Sequence, residues 1–194
     1  MDYKLKPPSA LDYFTALVQS DDEFPLLETA ISLAQDEFPS LDIQQVLSDM
    51  DHWAARLKRS ILPGADALDK LRELNHFFYS NLRFAGNVNH YDNPHNSYLN
   101  VVMSTRLGIP ISLAVLWLEL GQSIGLPVFG VGFPGHFLVK LDLPAPQEGH
   151  VVIDPFSGES LSREDLCERL MPWLPGAKAG QPNAISDDAL AFHL

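Results

Sequence analysis

Through the first 80 or so residues, apolar positions recur at steps of three and four, the period of helices with one buried face. Ser9 can cap a helix carrying Leu11, Phe14, Leu17 and Val18, with Ser20-Asp21-Asp22 as the turn that ends it. Pro25 fits the first turn of a second helix, whose buried side would hold Leu26, Leu27, Ala30, Ile31 and Leu33. After the break at Phe38-Pro39-Ser40, a third helix is predicted from Asp42 towards Arg59 on Val46, Leu47, Met50, Trp53, Ala54 and Leu57. Beyond Leu62-Pro63-Gly64 a fourth carries Leu68, Leu71, Leu74, Phe77 and Phe78. No signature recurs at a fixed period, so a small bundle explains these helices more simply than a helical repeat.

The pattern then changes. Residues 84–96 hold Gly86, four Asn, two His, Asp92 and Pro94 with little apolar material, and read as a loop. Leu99, Val102, Met103 and Leu107 suit a short helix with Gly108 in the C-cap role. Pro110 fits the first turn of the next helix, in which Ile111, Ala114, Val115, Leu118 and Ile124 cover much of the circumference. That makes it the central buried helix, ended by Gly125 and Pro127. Past Pro127 the runs 128–133, 136–141 and 150–154 are rich in β-formers and bounded by turn residues. They predict an antiparallel meander, with a tight link at Pro134-Gly135 and a wider loop at 144–149. A last helix is expected near 163–170 with Ser162 as its cap, followed by a loosely ordered tail except for its end at 190–194.

The resulting fold class is α+β, a helical bundle packed on a central helix against an antiparallel sheet. The expected divisions are residues 1–82 for the helical part, 83–171 for the core and 172–194 for the tail, within one integrated domain. With 46% hydrophobic residues in 194, the chain can bury a sizeable core. Its 25 acidic residues against 13 Lys and Arg give a formal charge of −12, which argues against nucleic acid or an anionic membrane as main partner and is compatible with a basic protein. No signal peptide or membrane span is visible, and one cysteine, Cys167, cannot form an internal disulfide. A cytoplasmic location is the expectation. Cys167 itself is expected to be a packing residue.

The chemistry lies in the second half. Ser112 falls in the first turn of the central helix, where free N–H groups and the dipole favour an anion or a developing oxyanion. His136 begins one predicted strand and Asp154 ends the next, so an antiparallel pair brings them side by side. A hydrogen bond between them would fix the imidazole tautomer. Ser, His and Asp are the types that a nucleophile, base and orienter need. Each also has a plain structural role open to it: Ser112 can satisfy a backbone group at the helix start, and His136 with Asp154 can form an internal polar network. Asn96 and Asn100 are candidate oxyanion donors or cleft-lining residues beside the Ser112 N–H. His90, Asp92 and His95 lack the spacing that makes a metal site firm, and no metal, nucleotide or other cofactor is expected.

The words Asn96-Ser97-Tyr98-Leu99-Asn100, Leu107-Gly108-Ile109-Pro110-Ile111-Ser112-Leu113, Gly125-Leu126-Pro127, Phe133-Pro134-Gly135-His136-Phe137-Leu138-Val139 and Ile153-Asp154-Pro155-Phe156 resemble the SirB1 family of bacterial proteins, within the transglutaminase-like superfamily. The resemblance implies a papain-related core with a catalytic Cys at a helix N-terminus, a His on a following strand and an Asp on the next. It also implies a tetratricopeptide-like C-terminal region, which is not expected in this chain. The thiol position is placed at Ser112, and Ser lacks the accessible anion that a helix N-terminus and a neighbouring His can draw from Cys. The leading expectation is therefore a non-catalytic or weakly active domain that binds a protein or peptide at a degenerate Ser-His-Asp cleft. The alternatives are an active Ser-His-Asp amidase or hydrolase, and an assembly module whose acidic surface meets a basic partner.

Overall fold

The computed structural model describes residues 9–19, 25–145, 148–174 and 190. The expected turn at 20–22 and, Leu190 apart, the tail beyond 174 lie outside them. Helix α1 (Ala10–Leu17) starts on a reciprocal capping box in which the Asp12 N–H donates to Ser9 Oγ and the Ser9 N–H to Asp12. Helix α2 (Leu26–Ser32) follows Pro25, then tightens into a 3₁₀ turn at Leu33–Gln35. That tightening rotates Leu33 outward, and Leu26 is exposed too, so Leu27, Ile31 and Ala34 form the buried side instead. Helix α3 (Ile43–Ser60) is capped by Asp42, which accepts from the Gln45 N–H, and buries Met50, Trp53 and Leu57. Helix α4 (Ala67–Asn75) is capped by Asp66 and runs on into a π-helical turn, His76–Asn81.

Within the segment read as a loop lies a two-residue strand, β1 (Ala85–Gly86), paired in parallel with β2 (Leu107–Gly108). The helix between them, α5 (Leu99–Thr105), therefore does not end on Gly108. Its left-handed C-cap is Arg106, at φ 65°. Arg106 tolerates this because its guanidinium lies 4.4 Å from the Trp53 ring centroid and 5.1 Å from that of Phe84. Gly108 answers a demand for space, since a Cβ there would sit 2.7 Å from Ser112 Oγ.

Helix α6 (Pro110–Ser123) is the buried centre, with Leu113, Ala114, Leu116, Trp117 and Leu120 fully inaccessible. Trp117 can be buried because its Nε1–H donates to Asn75 Oδ1 at 2.9 Å. The sheet that packs on α6 has four antiparallel strands in sequence order, β3 (Val128–Val131), β4 (Leu138–Asp142), β5 (His150–Ile153) and the short β6 (Ser160–Leu161). Strand alternation sends Val128, Val139, Leu141 and Ile153 to the main core, and Val131, Leu138 and Val152 to the far face. Helix α7 (Arg163–Leu170), opened by a Ser162–Asp165 capping box, covers that far face with Leu166, Cys167 and Leu170, joined by Leu190. The link between β3 and β4 is wider than the expected tight turn. It spans residues 132–137 and is shaped by a His136 N–H bond to the Phe133 carbonyl.

Candidate functional site

Ser112 and Ile109 make a closed pair at the start of α6. The Ile109 N–H donates to Ser112 Oγ at 3.1 Å, and the same hydroxyl donates back to the Ile109 carbonyl at 3.1 Å. Ser112 is 3% exposed, pressed against Gly108. This is the chemistry of a helix start: Pro110 brings no N–H, and the Ser three residues into the helix turns back onto the residue that opens it.

His136 and Asp154 do meet. His136 stands two residues before β4 and Asp154 directly after β5, and His136 Nε2 lies 2.9 Å from Asp154 Oδ1. The same oxygen accepts the Phe156 N–H at 2.9 Å, while Oδ2 accepts from Arg169 Nη1 at 2.7 Å. Asp154 is almost wholly buried, whereas the His136 and Arg169 side chains keep partial exposure. Burial pushes the Asp154 carboxyl up, but the His136, Arg169 and Phe156 hydrogen bonds together outweigh it and hold the group down at about 2. The carboxylate is thus ionised at neutral pH, and Nε2 carries the proton it accepts. Nδ1 is the ring nitrogen left over.

Two positions around this pair were not visible in the spacing of the chain. Arg169 sits in the last turn of α7, among charged residues that look like an ordinary solvated face. Tyr79 is carried by the π-helical turn after α4, a local widening that no apolar period announces. Its hydroxyl donates to the Pro155 carbonyl at 3.2 Å, and its ring packs on Gly158, so it braces the turn that follows Asp154. Burial and the Asp154 charge push the Tyr79 phenol up, which keeps it a neutral donor.

Asn96 is buried and internally satisfied. Its Nδ2 donates to the His90 and Tyr91 carbonyls at 2.7 and 2.9 Å, and its Oδ1 accepts from Asn87. It organises the 87–96 loop. Asn100, on α5, has a buried Oδ1 without a partner among the described residues. No hydrogen bond joins Ser112 to His136 among them either. His95 packs its ring towards Phe38 and Tyr98, and no group of three or more His, Cys, Asp or Glu side chains gathers as a metal site among the described residues. No helix among them is long and apolar enough to cross a membrane.

A family model described as the Transglutaminase-like superfamily matches residues 44–182, and the chain belongs to that superfamily. It is 39% identical over 168 residues to a UPF0162 protein of Xylella fastidiosa strain 9a5c, covering 86% of this chain and 59% of that protein. A UPF0162 protein of Vibrio cholerae is 27% identical over 157 residues, 81% of this chain and 56% of its own length. F-box only protein 21 of Homo sapiens is 40% identical over 70 residues, 36% of this chain and 11% of its own. The chain therefore spans about three fifths of the length of the bacterial relatives it matches. No solved structure matches.

Proposed function

We propose that this chain is a SirB1-type transglutaminase-like protein that works by binding a protein or peptide at the site around His136, without using Ser112 as a nucleophile. The observation that carries this reading is the reciprocal Ser112–Ile109 pair. A serine nucleophile needs its proton taken by a base within hydrogen-bond reach, and this hydroxyl gives its proton to a backbone carbonyl instead. His136 keeps the posture of a base, with Nε2 tied to Asp154. What it offers through Nδ1 is a hydrogen-bond acceptor for a peptide N–H.

Two exposed aromatic side chains lie beside the pair: Tyr91 meets the ring of Phe156 at 5.8 Å, and Trp173 lies against the position before His136. Such a rim suits an apolar side chain of the partner. The formal charge of −12 favours a partner that is basic elsewhere, and a cytoplasmic site of action is part of the proposal. The retained His136–Asp154 pair favours a second reading, an amidase or hydrolase in which Ser112 leaves its cap to attack.

Peptides selected from a random display library test the first reading. Affinity should fall by about thirtyfold in Trp173→Ala, the loss of an aromatic anchor, and stay within about twofold in Ser112→Ala. Failure to select any peptide, or equal affinity in wild type and Trp173→Ala, would defeat it. So would hydrolysis of amides or esters that Ser112→Ala abolishes without unfolding the protein.

A further inference from the structure

The two oxygens of Asp154 are divided between two elements. Oδ1 serves His136 Nε2 and the Phe156 N–H, while Oδ2 receives Arg169 Nη1 at 2.7 Å. Arg169 comes from a fixed base, because Leu166, Cys167 and Leu170 of the same helix are buried against the far face of the sheet. The chain leaving α7 braces the other half of the pair. Trp173 packs so closely on Gly135, the residue before His136, that a Cβ there would come within 2.4 Å of its ring.

A carboxylate held at one oxygen cannot turn freely about its Cβ–Cγ bond, so the second oxygen keeps its place. We propose that Arg169 is a positioning residue for His136: by holding Oδ2 it keeps Oδ1 on Nε2, which locks the ring as the Nε2–H tautomer and presents Nδ1 to the occupant. This rests on the reading that the His136–Asp154 pair is the working part of a binding site. The competing role is a plain tether that fastens α7 to the sheet and would leave the imidazole indifferent.

Solvent exchange of the His136 Nε2–H proton, followed by ¹⁵N-edited NMR of the full chain without any partner, separates the two. Losing one charge-assisted hydrogen bond lets the pair open more often, so Arg169→Gln should speed exchange by about tenfold or more while the backbone amide fingerprint is kept. Arg169→Lys, which retains the charge without the planar fork, should give an intermediate rate. Met50→Ala cuts into the main core away from α7, and should lower the unfolding midpoint with exchange held within about twofold. Equal exchange in wild type, Arg169→Gln and Arg169→Lys would overturn the proposal, as would a Met50→Ala rate as fast as that of Arg169→Gln. If Arg169→Gln does not fold, the difference between wild type and Arg169→Lys decides in the same way. Because no partner is present, a failure of peptide selection bears on the binding reading alone and leaves this outcome readable.

Discussion

The start of α6 and the ends of the β4–β5 hairpin hold the three polar residues that one triad would need, and they use them in opposite ways. Ser112 makes a local pair with a residue three positions back, complete within one helical turn. His136 and Asp154 are joined across 18 residues of chain, and Asp154 is bonded again to Arg169, 15 residues further on. The first arrangement would exist in many helices whatever their function. The second places an ionised carboxylate out of water, which a chain sustains only where several donors converge. Antiparallel pairing brings His136 to Asp154, while Ser112 bonds within its own helix start.

The comparison is broken most forcefully at Asp154. Asp154→Ala leaves Arg169, His136 and the Phe156 N–H without their acceptor, and should cost about 2–4 kcal/mol in urea unfolding, below a fully buried network because Arg169 and His136 keep water contact. Acid gives the next largest effect. The folded Asp154 carboxyl lies at about 2 against an ordinary 3.8, so its contribution is complete above the higher value and is lost as pH falls through the lower one. Wild type should lose about 2 kcal/mol between pH 5 and pH 2 that Asp154→Asn does not lose, measured as the difference between their stability curves.

Smaller effects test the surroundings. Gly135→Ala combines a φ of +71° with a collision against Trp173, which can swing aside, so about 1–2 kcal/mol is expected in thermal unfolding. Ser112→Ala should cost only about 1 kcal/mol, the value of a lost helix-start bond, and leave peptide binding unchanged. If Ser112→Ala instead proved nearly as costly as Asp154→Ala, the contrast between the two regions would be lost.

Much of the fold was legible because its signals are local. Ser9, Asp42 and Ser162 each accept a backbone N–H three residues on, as caps do, and the shift from steps of three and four to alternation near Pro127 marks where helix gives way to sheet. The β1–β2 pair was hidden because two residues from each of two separated segments leave no period to read, and because Gly108 looks like a helix end when its role is to make room for Ser112. β6, also two residues long, was missed for the same reason. In the site, the proximity of His136 and Asp154 followed from antiparallel pairing, since residues just outside facing strand ends must meet. Arg169 and Tyr79 could not be found that way. One depends on how α7 docks on the sheet, the other on a π turn that shifts a single side chain out of helical register.

The most direct measurement of the central claim is labelling of the purified chain with a fluorophosphonate probe, read by mass spectrometry at Ser112 in wild type, His136→Ala and Ser112→Ala. With the Ser112 hydroxyl bound to the Ile109 backbone, none of the three should carry the probe at position 112. Stoichiometric labelling of Ser112 in wild type that disappears in His136→Ala would show a working serine nucleophile and contradict the non-catalytic reading.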